Sequence, residues 1–387
     1  MVYNRFMRIG IDIRNIGRKR TGDEVVFLNL VRELSVIDTV NEYRLFIDTR
    51  TDEEIEHITD RLGISGKNQF QFVRLPAKNK FDWNLVYAPR AIAKESLDVY
   101  HTQYITPFFV SRRTRVVTHI HDVSFKAFPQ LISPIDRMFL SLFLPPSLRR
   151  ANSIVAVSEF TRSEILKHYS FVSPEKVVVV PNAVDPEFAS MASEAGIQRA
   201  RSKYSLPDTY ILYVGTLQPR KNIPFLLESF ARVKERLPGM SLVLVGNRCG
   251  HHVDPRINGV VTALGLEASV VFPGFIDAED LPSVMQGATA FAYPSLYEGF
   301  GIPALEAMSV GIPVLASDIP PFREACGDAA MFSDPTNIAA FSDSLYTVAT
   351  LKESVRVALI QRGSDRSRFF SWKRSAKILL SNVYEGR

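Results

Sequence analysis

Short apolar runs alternate with longer helix-forming stretches along nearly the whole chain, and no other feature narrows the fold as much. Strand candidates in the first half are Arg8–Ile13, Tyr43–Ile47, Phe70–Leu75, Val99–His101, Val116–Ile120, Ile154–Val157 and Lys176–Val180. Helices are expected between them over Glu24–Val36, Asn84–Glu95, Pro134–Arg150 and Glu159–Tyr169. The second half repeats the scheme, with strands expected at Tyr210–Val214, Ser241–Val245, Val270–Phe272, Ala290–Ala292 and Pro313–Ala316. Its helices are expected over Pro224–Arg236, Pro255–Leu264, Ala278–Gln286, Ile302–Met308 and Ile338–Arg362. Runs such as Val177–Val180 are apolar at every position, as a parallel strand covered on both faces must be.

The expected fold class is α/β, with two Rossmann-like, doubly wound parallel-sheet domains facing a cleft. A chain of 387 residues is too long for one ordinary core. The expected division is a first Rossmann-like domain over 1–185, a linker over 186–206 containing the polar helix-like piece Ser190–Tyr204, a second such domain over 207–365, and a terminal helix over 366–387. Ligands should lie beyond the carboxyl ends of the strands.

Composition excludes several classes. Cys249 and Cys326 are far apart and lack metal-ligand spacing, which argues against a disulfide framework or a zinc site and fits a reducing cytoplasm. No apolar run approaches a membrane span, and Met7–Asp12 reads as a strand rather than a secretory leader. Residues 1–185 carry 26 Lys+Arg against 21 Asp+Glu, while the remainder is balanced at 20 against 20. The net charge of +5 therefore sits in the first half, notably at Arg18-Lys19-Arg20 and Arg112-Arg113-Thr114-Arg115. These clusters are short and not interleaved with aromatic residues, so nucleic acid is not expected as a partner. Solvated loop charge is the ordinary reading, and an anionic acceptor or membrane surface is the other. Phe139, Leu142 and Phe143 near Arg137 have the spacing of a packed helix and are expected in the core, with contact to a membrane as the alternative.

The most informative segment for chemistry is Glu298-Gly299-Phe300-Gly301-Ile302-Pro303-Ala304-Leu305-Glu306. It begins as a loop and ends in strong helix formers, with Pro303 in the first turn. Backbone N–H groups at Gly299, Phe300 and Gly301 then suit phosphate, and the two glutamates suit sugar hydroxyls. A glycine-rich loop with acids complementing a helix dipole is the plainer reading. Its basic counterpart follows strand Tyr210–Val214, where Gly215 opens a loop to adjacent Arg220 and Lys221. A rigid guanidinium and a point charge suit a diphosphate whose charge grows as a glycosidic bond breaks, whereas alone they read as a solvated pair. In the first half, His121 and Asp122 end a strand, and Asn182 follows another. The glycine-bearing loop from Gly17 to Gly22 is a weaker acceptor-side candidate and lacks the dinucleotide spacing. His119, in mid-strand, is expected to be structural.

Together, Gly215–Asn222, Glu298–Glu306, His121-Asp122, Pro181–Asp185 and Ala151–Phe160 resemble the retaining glycosyltransferases of family four, which have the B-type two-domain fold. The tail Phe370-Ser371-Trp372 resembles the branch containing bacterial mannosyltransferases of polysaccharide assembly. The resemblance implies a metal-independent, retaining hexosyltransferase without a bound cofactor. Its co-substrate would be a nucleotide-diphospho sugar, GDP-mannose first and UDP-sugars next. The acceptor would be a glycan or lipid-linked glycan, met in the cytoplasm or at the inner membrane face. Arg220 and Lys221 would hold the diphosphate, Glu298 the donor sugar, Glu306 the ribose, and His121 the sugar near its reacting carbon. The last helix would cross back to the first domain. One departure concerns Asp23 and Glu24 after Gly22, where small or apolar residues are usual; two carboxylates there would repel an anionic acceptor. A nucleotide-sugar epimerase or hydrolase, and a non-catalytic nucleotide- or glycan-binding module, are the rival expectations.

Overall fold

The computed structural model of the chain describes residues 6–17, 21–188, 191–248 and 253–386. The Arg18-Lys19-Arg20 cluster, Cys249 and the start of the Ser190–Tyr204 piece lie outside the described residues. The chain divides into two compact units. One comprises residues up to Lys126, Pro134–Asn182 and Ser371–Arg387; the other comprises Ala127–Ser133 and Ala183–Phe370.

The first unit holds strands β1 (Arg8–Asp12), β2 (Glu42–Asp48), β3 (Phe70–Leu75), β4 (Val99–Gln103), β5 (Arg115–Ile120), β6 (Ser153–Ala156) and β7 (Val177–Val179). They form one sheet in the order β3-β2-β1-β4-β5-β6-β7, with every neighbouring pair parallel. Strand order reverses between β1 and β4, so their carboxyl ends open a crevice. Ile9, Ile11, Leu45, Val99 and Ile154 are fully buried, as strands covered on both faces require. Helix Gly22–Ile37 follows β1 and is capped by Thr21, whose side chain accepts from the Glu24 N–H. Helix Trp372–Ile378 packs against it, and Arg115 donates to the carbonyls of Val383 and Tyr384 at 2.9 and 2.6 Å.

The second unit holds β8 (Tyr210–Val214), β9 (Ser241–Val245), β10 (Val270–Gly274), β11 (Ala290–Tyr293), β12 (Val314–Ser317) and β13 (Met331–Ser333). The order is β10-β9-β8-β11-β12-β13, again parallel throughout, with the reversal between β8 and β11.

Several elements depart from expectation. Segment Asp52–Leu62 forms a helix behind a Thr51–Glu54 capping box, a start signal present in the sequence but outweighed by its few apolar residues. The single helix expected over Ile338–Arg362 is two, Ile338–Ala349 and Glu353–Phe369, because the backbone leaves helical geometry at Thr350, with φ −121° and ψ 25°. Helix Glu194–Lys203, placed in a linker by the sequence, packs against Leu281–Gln286 and counts with the second unit. The core assignment fails for Leu142, which is exposed, while Phe139 and Phe143 are half-buried against Phe81 and Phe108. Helix Pro134–Arg150 fully buries only Leu144, Ser147 and Leu148, so its periodicity reports an apolar face that is covered only in part. Among the described residues no helix is long and apolar enough to cross a membrane.

Candidate active site

The carboxyl ends of β8 and β11 lie side by side where the second sheet reverses, and each feeds a loop into a helix. The β8 loop ends in the tight turn Pro219–Lys221. Asn222 then adopts a left-handed backbone, and its side-chain amide donates to the Pro335 carbonyl at 2.9 Å. The β11 loop docks on this turn through a 2.9 Å bond from the Leu296 N–H to the Arg220 carbonyl. Side chains complete the junction. Arg220 Nη1 donates to Glu298 Oε2 at 3.0 Å and to the Tyr297 carbonyl at 3.1 Å. Lys221 Nζ donates to Glu298 Oε1 and lies 3.2 Å from the Tyr293 hydroxyl. Ser295 Oγ donates to Glu298 Oε1 at 2.8 Å.

Lys221 and Glu298 are only 6% and 7% exposed. Burial pushes the Glu298 carboxyl upward, but Lys221 and Arg220 outweigh it and hold the group down at about 2. The Arg220–Lys221–Glu298 cluster therefore holds two cations and one anion in fixed positions, a net charge of +1. This corrects the picture of two glutamates both open to sugars: Glu298 is first the partner of Arg220 and Lys221. Tyr293 and Ser295, which build the cluster, were not singled out from sequence; the only signal was Ser295 three residues before Glu298.

Gly301 begins helix Ile302–Ser309 at φ +121°, and a Cβ there would lie 2.9 Å from the Phe322 ring, so no other residue fits. Phe300 is buried, with its ring edge-on to Phe370 at 5.1 Å. Glu306 is fully buried on the following helix. The Gly215 N–H donates to the Val245 carbonyl at 3.0 Å and closes the end of the sheet. Among the described residues, no group of three or more His, Cys, Asp or Glu is arranged to hold a metal ion.

In the first unit, His121 follows β5 and is buried, with Nδ1 3.6 Å from Asp23 Oδ1. Its ring stacks on His119 at 4.7 Å, and His119 stacks on His101 at 5.4 Å. Phe27, one turn after Asp23, lies 5.1, 5.2 and 6.2 Å from the three rings in the order His101, His119, His121. The Tyr384 hydroxyl is 2.6 Å from His101 Nδ1, and His101 Nε2 is 3.3 Å from His119 Nδ1. If Tyr384 donates, His101 Nε2–H is left to donate onward. Burial, reinforced by His121, lowers His101 to about 3 and His119 well below the usual imidazole range, so both are neutral at pH 7.

The remaining first-half candidates are mainly architectural. Asp122 Oδ1 accepts from the Ser124 N–H at 3.0 Å and the Ser124 hydroxyl at 2.8 Å. Glu24 Oε1 accepts from the Gly17 N–H at 3.1 Å and from Arg61 at 2.8 Å, so this carboxylate braces the loop. Gly17 needs its φ of +78°, whereas a Cβ on Gly22 would meet nothing within 4 Å. Asn182 is buried at the end of the unit, and its Oδ1 has no hydrogen-bond partner among the described residues. Of the two carboxylates that departed from the resemblance, only Asp23 faces His121.

Comparison with known proteins follows the same division. Residues 21–188 match the Glycosyltransferase Family 4 model and residues 196–366 the Glycosyl transferases group 1 model. The chain is 31% identical over 357 residues to O-antigen chain mannosyltransferase B of Escherichia coli, covering 89% of this chain and 91% of that protein. It is 24% identical to O-antigen chain mannosyltransferase RfbU of Salmonella typhimurium, covering 89% and 92%. Among solved structures, Anabaena HepE in complex with UDP and glucose superposes with a TM-score of 0.71 at 17% identity, over 98% of this chain and 100% of that one. WaaG, a glycosyltransferase involved in lipopolysaccharide biosynthesis, gives 0.73 at 16% identity, over 98% and 100%. With its two parallel-sheet units, its paired cations and glutamate at the second switch point, and this extent of identity, the chain belongs to glycosyltransferase family 4.

Proposed function

We propose that this protein transfers a hexosyl group, mannosyl first among candidates, from a nucleotide-diphospho sugar to a glycan or lipid-linked glycan during cell-surface polysaccharide synthesis. The named activities of the two O-antigen relatives support mannose, and therefore GDP-mannose as donor. The HepE complex with UDP and glucose keeps UDP-sugars as the second choice.

The observation that carries the reading is the Arg220–Lys221–Glu298 cluster. A departing nucleoside diphosphate gathers negative charge as the glycosidic bond breaks. Cations already fixed by Glu298, Tyr293 and Ser295 stabilise that charge without reorganising, so they act most strongly in the transition state. Backbone amides at Gly299–Gly301 and the following helix start add to the phosphate site. In this scheme Glu298 also meets a donor-sugar hydroxyl, Glu306 meets the ribose, and His121 meets the sugar near its reacting carbon. Protein cations supply the stabilisation that a divalent metal would otherwise give. Transfer proceeds with retention, the leaving phosphate taking the acceptor proton on the same face. Work is expected at the cytoplasmic side, against a membrane-borne acceptor.

The test is sugar transfer by Lys221→Ala, with labelled GDP-mannose and UDP-sugars as donors. Loss of one charge-assisted contact that strengthens in the transition state predicts a fall of about 10²–10³ in rate. Unchanged transfer removes Lys221 from the mechanism. Product formed without acceptor would indicate a hydrolase or epimerase instead.

A further inference from the structure

Helix Pro134–Arg150 has 17 residues, yet its buried ones all lie in its last two turns. Ahead of them, Ile135, Met138 and Leu142 are 70%, 67% and 63% exposed. Spacings of three and four put them on one side of the helix. Phe139 and Phe143 border that stripe and tie it to two neighbouring segments. Phe81 meets Phe139 edge-on at 5.6 Å, and Phe108 meets Phe143 at 5.5 Å. Beside Phe108, Phe109 is 86% exposed and held at φ +61°. A left-handed backbone is unfavourable for a bulky residue, yet here it presents a phenyl ring to solvent.

The charge around this face has one sign in excess. Segments 76–85, 106–113 and 134–143 contain Lys78, Lys80, Arg112, Arg113 and Arg137 against two carboxylates, Asp82 and Asp136. Lys80 Nζ lies 3.7 Å over the Phe139 ring, which brings a cation onto the border of the apolar stripe. An apolar centre with a cationic rim matches a lipid headgroup layer: side chains enter the acyl boundary and cations meet anionic headgroups. A second copy docked face to face through a twofold axis would instead oppose like charges.

We propose that this face seats the first unit on an anionic bilayer, a proposal that rests on the reading of a membrane-borne acceptor. Flotation of the full chain with phosphatidylglycerol–phosphatidylcholine vesicles tests it. The protein should rise with these vesicles, several-fold less with phosphatidylcholine alone, and be released by high salt. Met138→Ser with Leu142→Ser should reduce flotation about tenfold or more, by removing two inserted side chains. Arg112→Glu with Arg113→Glu should abolish the preference for anionic lipid. All four positions are exposed, so thermal unfolding should be unchanged, and transfer to a water-soluble acceptor should persist. The proposal fails if the parent protein stays at the bottom with anionic vesicles, or if both variants float as it does. It also fails if sedimentation in lipid-free buffer shows a dimer that Met138→Ser with Leu142→Ser dissociates. Flotation without transfer would refute the activity and leave the docking face standing; transfer without flotation would do the reverse.

Discussion

The two units bury ionisable groups in opposite ways. The first keeps its interior neutral: His101 and His119 are held uncharged by burial and stacked between Phe27, Tyr384 and His121. The second keeps its interior ionised, with Arg220, Lys221 and Glu298 in one hydrogen-bonded cluster. Desolvation opposes ionisation in both. In the first unit it wins and removes the charge; in the second, opposite charges at contact distance overcome it. The contrast suits the proposed division of labour, since a pyrophosphate needs fixed cations and a sugar hydroxyl needs only a neutral donor or acceptor.

The largest effect should follow from breaking the charged side. Glu298→Ala removes the carboxylate from two buried cations and should destabilise the protein by about 3–5 kcal/mol, measured by urea unfolding. A loss below about 1 kcal/mol would show that the cluster is solvated and the contrast false.

Acid should act on the neutral side first. The two imidazoles bind protons in the unfolded chain near the ordinary value of 6.5 but resist them when folded, His101 down to about 3. Stability is therefore lost as pH falls from about 6.5, by about 2 kcal/mol per histidine between pH 7 and 5. Glu298 behaves differently. Its folded value of about 2 lies below the ordinary 4.5, so its contribution persists to about pH 4.5 and is lost as pH falls towards 2. Denaturation of His119→Gln at both pH values should show the pH 7 to 5 loss reduced by about 2 kcal/mol, while Glu298→Gln leaves that difference intact. Equal slopes in all three proteins would mean the stack is not held neutral.

The smallest effect sharpens the boundary between neutral and charged. Asp23 is partly exposed and lies 3.6 Å from His121 Nδ1. Asp23→Asn should leave stability unchanged and lower KM about fivefold for a phosphate-bearing acceptor, through loss of one screened repulsion. KM for a neutral acceptor should stay the same. A similar change with both acceptors would assign Asp23 to orienting His121 rather than to acceptor choice.

Much of this was legible in local pattern. Strands Tyr210–Val214 and Ser241–Val245 have the bounds that their apolar runs indicate, because short continuous runs rich in Val, Ile and Leu suit a strand buried on both faces. The place of Arg220 and Lys221, just past such a strand, was legible in the same way. Glu298 read as a free acceptor because the residues that engage it, Arg220 and Lys221, are more than seventy positions away. The histidine stack was invisible for the same reason: His101, His119 and Tyr384 meet only through the β4–β5 register and the returning tail. Leu142 had a core-like spacing, and spacing does not tell whether anything packs against it.

By itself the sequence determined the alternation of strands and helices, the two-part organisation and the chemical types at each loop, since these follow from hydrophobic period and local backbone preference. Only the tertiary structure decided which charges pair, which imidazoles stay neutral and which apolar face remains uncovered. Those outcomes depend on desolvation and on contacts between residues far apart in the chain, and strand order in the sheet sets both.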